Sequence, residues 1–340
     1  MTIKDIARHC GVSVSTVSRV LNNHPDVSAA VRAQVLAVIE SEHYIPNSSA
    51  RDLVKSQSDT IGLVVRGVGN PFYVDVIHAI EHKVAQAGYA LVVHYIYSHE
   101  DEVRAGAELI RSKKLRGLIL LGGRFDYSTE DVALLTVPFV CCTHTNCFGS
   151  LSDQSYSSVT INDREEARKA TKLLIDHGHR NIAIVLESVR NGSISELRYQ
   201  GYCQALEEAG IPLDPELVEE TDDYSAEGAH AGVHRLLKRR SDVTALFAIS
   251  DAMAMAAIKA LHENGKQVPA DCSVIAIDGI TMSAYTIPTL TTLVQPKQEM
   301  GEGAVDILVD LIEKKSHNRH TVLSTTVRLG GSVARHGSTL

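Results

Sequence analysis

No stretch of this chain comes near the roughly 18 uninterrupted apolar residues of a membrane span. The opening Met-Thr-Ile-Lys-Asp-Ile-Ala-Arg-His-Cys also lacks the apolar centre of a secretion signal, so the expectation is a cytoplasmic protein with no membrane partner. Cysteine is sparse and unpatterned. Cys10, Cys141, Cys142, Cys147, Cys203 and Cys272 form no CxxC pair and no zinc spacing, which fits reduced, mostly buried thiols better than a disulfide framework. Positive charge is short as well: 33 Lys and Arg stand against 41 Asp and Glu, a net −8, and that sum does not describe a polybasic binder of nucleic acid. A Walker loop, a GxSxG elbow, an HExxH helix and a nucleophile and base at motif spacing are all absent, so no catalytic residue, cofactor or metal is expected. Gly122-Gly123 reads as a turn ending a strand, and His177-Gly178-His179 as a helix C-terminus with Gly178 in the left-handed cap. Lys238-Arg239-Arg240 reads as a solvated charge run and Cys141-Cys142 as strand core.

What is present is length enough for two or three domains, 340 residues with 44% hydrophobic positions. Residues 1–58 carry six basic side chains against five acidic ones, whereas the chain from residue 59 holds 27 against 36. The acid excess therefore belongs to the larger part. In the first part, Thr2 with Asp5 reads as an N-cap and its acidic third position, and Ile3, Ile6, Ala7 and Cys10 make one apolar face before Gly11 stops the helix. Ser13 with Thr16 opens a second helix with Val17, Val20 and Leu21 inward, closed by Asn22-Asn23-His24-Pro25. Ser28 caps a third with Val31, Val35, Val38 and Ile39 inward. This is the helix-turn-helix plan, in which the second helix enters the major groove. Its outer face, Val14, Ser15, Ser18, Arg19 and Asn22, offers short polar groups for phosphates or base edges and a guanidinium suited to guanine. A solvated three-helix bundle that binds no DNA shows the same pattern.

The run from Thr2 to Asn22, then Val27-Ser28, then Tyr44-Ile-Pro-Asn-Ser-Ser-Ala-Arg-Asp-Leu53, resembles the headpiece of LacI/GalR-type bacterial transcription repressors almost position by position. The resemblance implies a DNA-binding set of Thr2, Lys4, Ser13, Val14, Ser15, Thr16, Ser18, Arg19, Asn22, Ser28, Tyr44, Asn47, Ala50, Arg51 and Leu53. Within it, Lys4, Ser28, Tyr44 and Asn47, together with Arg8, would hold the backbone, and Val14, Ser15 and Arg19 would read bases. It also implies a hinge helix after Pro46, a residue suited to a first helical turn. Too short to be stable alone, that helix would pair with its twin in the minor groove, Leu53 wedging a base step and Ala50 at the pair's contact. An ordinary core leucine on a linker helix is the plainer reading of Leu53.

From Thr60 on, β-rich runs (61–65, 90–93, 118–121, 139–142, 182–186, 245–249 and 274–277) alternate with helical stretches (73–87, 101–113, 164–177, 195–209, 226–238 and 252–264). Two successive sets of such units predict two doubly wound parallel-sheet α/β lobes, with ligands beyond the carboxyl ends of the strands. The resemblance continues through Asn70-Pro71-Phe72-Tyr73, Gly178-His179, Leu197-Arg198-Tyr-Gln-Gly201-Tyr202, Ser250-Asp251-Ala-Met253-Ala254, Ile277-Asp278-Gly279 and Pro288-Thr-Leu-Thr-Thr-Leu293. It implies a periplasmic-binding-protein-like sugar-sensing core whose chain crosses between lobes near residues 160, 292 and 322. The domain plan is an all-α helix-turn-helix headpiece over 1–45, a hinge helix and linker over 46–58, and an effector-binding core over 59–340. The first lobe takes about 59–160 and 293–322, and the second about 161–292 and 323–340.

Carried over residue by residue, the family's effector contacts fall on Phe72, Ile161, Arg198, Tyr224, Ser250, Asp251, Asp278 and Gln295. Arg198 and Asp278 would hold adjacent hydroxyls, Tyr224 would lie against a sugar face, and Phe72 would sit in the mouth of the first lobe. An interlobe ion pair between Arg198 and Asp278 that needs no ligand is the plainer alternative. Two departures change which hydroxyl pattern fits: Ser250-Asp251 stands where sugar binders commonly have Asn-Asp, and Thr143-His144 where an Asp-Arg pair commonly ends the fourth strand. The headpiece and the Ser193–Arg198 region look most like the galactose-sensing branch. The expectation is a homodimeric repressor of palindromic operator DNA, controlled by a small-molecule effector, a sugar. After the last strand, expected at 321–329, the polar stretch 330–340 has no heptad pattern, which favours a dimer over a tetramer. A sensing module without an operator, and an enzyme of sugar or nucleotide metabolism, are the competing classes.

Overall fold

The computed structural model describes residues 2–21, 24–42, 59–67, 69–188 and 192–337, and the chain divides into two compact units, Met1–Ser58 and Asp59–Leu340. The first unit holds helices α1 (Ile3–His9), α2 (Val14–Leu21) and α3 (Ala29–Ser41). Their boundaries follow from local chemistry. The Thr2 backbone N–H and hydroxyl both donate to Asp5 Oδ2, at 2.9 and 2.7 Å, closing a capping box on α1. Gly11, at φ +64, takes the left-handed turn into α2, which Ser13 opens by accepting the Thr16 N–H at 3.1 Å. Ile6, Val17 and Val35, one from each helix, are fully buried in a small shared core.

The second unit is built from βα units in two lobes. In the first lobe run β1 (Thr60–Arg66), α4 (Phe72–Gln86), β2 (Ala90–Ile96), α5 (Glu102–Lys113), β3 (Gly117–Leu121), β4 (Phe139–Cys142) and β5 (Ser157–Ile161). The chain then enters the second lobe as α6 (Asp163–Asp176), β6 (Ile182–Glu187), α7 (Ile194–Glu208), β7 (Val218–Thr221) and α8 (Ala226–Arg239). This lobe continues through β8 (Ala245–Ala248), α9 (Asp251–Glu263), β9 (Ser273–Asp278) and β10 (Thr291–Val294). It returns to the first lobe for α10 (Lys297–Ile312) and β11 (His320–Leu323), and crosses once more to β12 (Thr326–Arg328). The first sheet has the order β11-β5-β4-β3-β1-β2 and is wholly parallel. The second, β12-β10-β9-β8-β6-β7, is parallel except at β12. Helices cover both sheets, so central strands such as β3 and β9 are buried along their whole length.

Three details differ from the sequence expectation. Thr291–Val294 stays in the second sheet, in register with β9, so the second crossing falls at Gln295-Pro296 rather than near 292. The single last strand expected over 321–329 is two strands in different sheets, and the third crossing runs between them. Residues 330–337 are held to the second lobe: Ser332 is fully buried and bonds to Thr291 N and Val274 O at 2.8 and 2.6 Å. His179 Nε2 lies 3.0 Å from Ala334 O, so the histidine after the Gly178 cap fastens this segment to the lobe.

The closest helix packing lies beneath the cleft, where α6 meets α7 at Gly201. A methyl group there would stand 2.1 Å from Arg164 O and 2.9 Å from Ala167 Cβ, contacts that require the helices to separate. Gly201→Ala is therefore expected to destabilise the protein by about 2 kcal/mol or more, measured as a lowered melting temperature of the full chain. An unchanged melting temperature would contradict the packing argument.

Candidate functional site

At the carboxyl ends of the second sheet, segments distant in sequence converge on one guanidinium. Arg198, on the inner face of α7, is 1% exposed. Its Nε and Nη2 donate to Asp163 Oδ1 at 2.9 and 2.8 Å, and its Nη1 donates to Tyr224 Oη at 3.1 Å and to Ile249 O. Asp163 is the first residue of α6 beyond the first crossing, Tyr224 lies in the loop after β7, and Ile249 follows β8. Asp278, the last residue of β9, sits 3.9 Å from Arg198 Nη1, beyond hydrogen-bond range, and accepts from Gln295 Nε2 at 2.9 Å. Burial works against the Arg198 charge, but Tyr224, Asp163 and Asp278 outweigh it and hold the guanidinium above its ordinary pKa. Burial pushes Asp278 up to about 7; Asp251 adds to this, while Arg198 and Gln295 oppose it. Asp278 thus carries an easily exchanged proton beside a permanent cation.

The expected effector residues divide by role. Arg198, Tyr224, Asp278 and Gln295 come together in this cluster. The Arg198–Asp278 pair lies within the second lobe and does not bridge the two lobes. Ser250 caps α9 through the Met253 N–H at 3.2 Å. Asp251 receives Ile280 N at 2.9 Å, and the Ser283 and Thr292 hydroxyls at 2.5 Å each, so both its oxygens brace its own lobe. Ile161 ends β5, buried and paired with Leu323. Phe72 is 3% exposed within the main hydrophobic core, and the next residue, Tyr73, faces the polar groups instead. The Tyr73 hydroxyl hydrogen-bonds Thr143 and feels the Asp278 carboxylate, and burial raises it to about 12.

Three further buried polar residues lie in the lobes, of which sequence reasoning noted only His144, as a departure from an Asp-Arg pair. Glu102, at the first position of α5, is fully buried. Its Oε1 accepts the Arg124 N–H at 2.8 Å and the Tyr127 hydroxyl, and its Oε2 lies 3.4 Å from Arg66 Nε. His144 follows β4, with Nδ1 3.1 Å from Cys142 O and Nε2 3.2 Å from Tyr127 Oη. Burial lowers His144 to about 4, so it is neutral at physiological pH. In the second lobe, Ser195 lies one turn before Arg198, fully buried, and its hydroxyl has no hydrogen-bond partner among the described residues. Only its place in the quoted Ser193–Arg198 run could have flagged it. A groove of about 640 Å³ beside the crossings, lined by Asp75, His78 and Lys297, shares Gln295 with this cluster but not Arg198 or Asp278.

In the first unit, Lys4, Val14, Ser15 and Arg19 are exposed, and Ser18 is half-buried. Ser13 Oγ lies 2.7 Å from Ser15 Oγ and 2.8 Å from Thr16 Oγ1, a hydroxyl cluster at the first turn of α2. Exposed Thr2 gives its hydroxyl to Asp5, and Ser28 caps α3 through Val31 N at 3.4 Å. Asn22, Tyr44, Asn47, Ala50, Arg51 and Leu53 lie outside the described residues.

A helix-turn-helix unit joined to a two-lobed, periplasmic-binding-protein-like core defines the class of ligand-responsive transcriptional regulators. Residues 2–47 match the family described as bacterial regulatory proteins, lacI family, and residues 171–333 match the periplasmic binding protein-like domain. The HTH-type transcriptional regulator MalR of Clostridium butyricum is 40% identical over 96% of this chain and 97% of its own. Among solved structures, the Lac repressor dimer bound to operator and the anti-inducer ONPF is similar at TM-score 0.81 and 26% identity, covering 98% of this chain and 99% of that one. The complex of the transcriptional regulator CelR with cellobiose is similar at TM-score 0.73 and 29% identity, with the same coverage. The chain belongs to the LacI family of bacterial transcriptional regulators. No helix among the described residues is long and apolar enough to cross a membrane.

Asp278 yields a test of this geometry. Its folded pKa of about 7 lies above the 3.8 of an ordinary Asp, so between those values the native state holds a proton that the unfolded state has lost. This group's contribution to stability therefore falls as pH rises through that window. Asp278→Asn, which cannot ionise, is expected to gain stability relative to the wild type as pH rises from about 4 to about 7, read by denaturant unfolding across that range. A pH-independent difference would refute the assignment.

Proposed function

We propose that this chain is a homodimeric cytoplasmic repressor that binds palindromic operator DNA and is controlled by a small polyhydroxylated effector, a sugar, held between the lobes. In the headpiece, exposed Arg19 and Ser15 on α2 present a bidentate donor and a hydroxyl at spacing suited to base edges, and the Ser13–Thr16 hydroxyl cluster suits a phosphate. Two copies related by a two-fold axis would read the two halves of a palindrome. Operator binding by the similar Lac repressor and cellobiose binding by the similar CelR support both halves of this reading.

The observation that carries the effector half is the 3.9 Å gap between Arg198 and Asp278. A ligand hydroxyl in that gap would accept from the guanidinium and donate to the carboxylate, and an adjacent hydroxyl would suit Tyr73 or the unpaired Ser195. Gln295 links this chemistry to movement, because it sits in the second crossing and donates to Asp278. An effector that draws on Asp278 therefore acts on a segment about which the lobes tilt. It changes operator affinity to the extent that it binds one arrangement better than the other.

Mobility shift with a labelled palindromic duplex tests the first half: specific binding that weakens as salt rises is expected, and no binding at low salt would overturn the repressor reading. Arg19→Ala is expected to cost about 1–3 kcal/mol of discrimination at one base position while weakening non-specific binding less. Thermal-shift screening of sugars and nucleosides against the full chain identifies the effector class. With that effector, Asp278→Ala is expected to bind operator normally but lose the dose response, and a retained response would remove Asp278 from the pocket.

A further inference from the structure

A second cluster of metal-ligating side chains lies on the second lobe, on residues that the effector site does not use. His230 and His234 stand one turn apart on α8, and Glu263 ends the neighbouring helix α9. Both imidazoles aim Nε2 at the same oxygen, Glu263 Oε2, at 2.7 and 3.1 Å, and their rings meet edge to face with centroids 4.7 Å apart. The three ligand atoms lie within 4.8 Å of one another. Lys259 pairs with the other oxygen, Oε1, which leaves Oε2 as the atom presented to the histidines.

We propose that His230, His234 and Glu263 form a binding site for a borderline divalent cation of the zinc class. Two imidazoles at i and i+4 on one helix face, with a carboxylate from a second helix, are a three-ligand set of the kind zinc takes. Tetrahedral ligands at zinc–nitrogen and zinc–oxygen bond lengths of about 2.0–2.2 Å stand roughly 3.3 Å apart. The existing 2.7 and 3.1 Å contacts therefore need to open by only a few tenths of an ångström, while the two ring nitrogens draw together. The side chains are about one-third exposed, which permits that adjustment and leaves the fourth position to water.

The protons balance without a co-reactant. Asn264 Nδ2 donates to His234 Nδ1 at 2.8 Å, so in the metal-free form His234 carries its proton on Nε2. Cation binding takes the Nε2 lone pair of both rings, so each imidazole moves its proton to Nδ1: His230, about one-third exposed, hydrogen-bonds water there, and His234 donates to Asn264, whose amide turns and gives up its 2.7 Å bond to Ala260 O. Hard, oxygen-seeking cations such as magnesium are disfavoured by a set with two imidazole nitrogens. The occupied site replaces the His230–Glu263 and His234–Glu263 hydrogen bonds between α8 and α9 with bonds to one cation.

Calorimetric titration of the chelator-treated full chain with zinc chloride is expected to show one site per chain, with a raised melting temperature. His234→Gln and Glu263→Gln, both at partly exposed positions, should each weaken binding tenfold or more with unchanged circular dichroism. Cobalt substitution should give the intense visible bands of four-coordinate geometry, without the thiolate charge-transfer band that a cysteine ligand would add. No stoichiometric binding, or binding unchanged in both variants, would overturn the proposal.

Discussion

A guanidinium out of contact with water is costly unless every donor is met, and Arg198 obliges much of the second lobe to meet it. Its partners come from the crossing after β5, the loop after β7 and the end of β8, with the carboxylate that closes β9 nearby. Each of those segments must be in place before the charge is compensated. The ends of four βα units are thereby locked into one arrangement at the mouth of the cleft. Asp278 carries the strain of this: its φ is +145, a region that favours glycine, and Gly279 follows at +69 with Val294 too close for a side chain. Gln295 holds the strained residue from both sides, its N–H on Asp278 O at 3.1 Å and its amide on the carboxylate.

The same lock makes the site responsive. Four of the five Arg198 N–H groups are met within the protein, so on the proposed reading an effector hydroxyl gains by taking the fifth and bridging to Asp278, which the cation does not reach. Tyr73 and Thr143 supply the opposite wall, and Thr143 too sits at positive φ, +74. Residues at positive φ thus stand at the end of β9 in one lobe and just after β4 in the other. In the first lobe burial keeps His144 neutral, and Glu102 is fully buried. On the proposed reading the phenol and hydroxyls there, in place of an Asp-Arg pair, discriminate by hydroxyl geometry more than by charge.

Legibility in the sequence followed the physics of each element. Strands of continuous apolar residues, such as Leu118–Leu121 and Phe139–Cys142, were readable because both their faces are covered. Ser157–Ile161 and Thr291–Val294 were not, nor was the division of the expected last strand between two sheets, since hydroxyls and a histidine take strand positions there and bond to segments far along the chain. The site split likewise. Arg198 and Asp278 stand in motifs that resemblance could carry, whereas Asp163, 35 residues from Arg198, and Glu102, 25 from Tyr127, acquire meaning only through their partners. Phe72 lies in the hydrophobic core, and which of the two adjacent rings goes inward was not legible, because a helix turns its face by about 100° per residue and an aromatic pair gives no sign of the direction.

Charge sets a last constraint on how such a protein holds DNA. The first 58 residues bring a surplus of one positive charge, so each headpiece releases few counterions and its non-specific grip is weak. The acid excess of the core does not add much repulsion at a distance, because charges beyond about 8 Å are largely screened at physiological salt. Affinity must then come from short-range contacts such as those available to Arg19 and the α2 hydroxyls, made twice. In the proposed dimer the second headpiece would bind at the effective concentration set by its tether to the first, so small changes in the spacing of two half-sites would translate into large changes in affinity. A weakly basic reader makes the dimer geometry, rather than charge, the quantity an effector has to move.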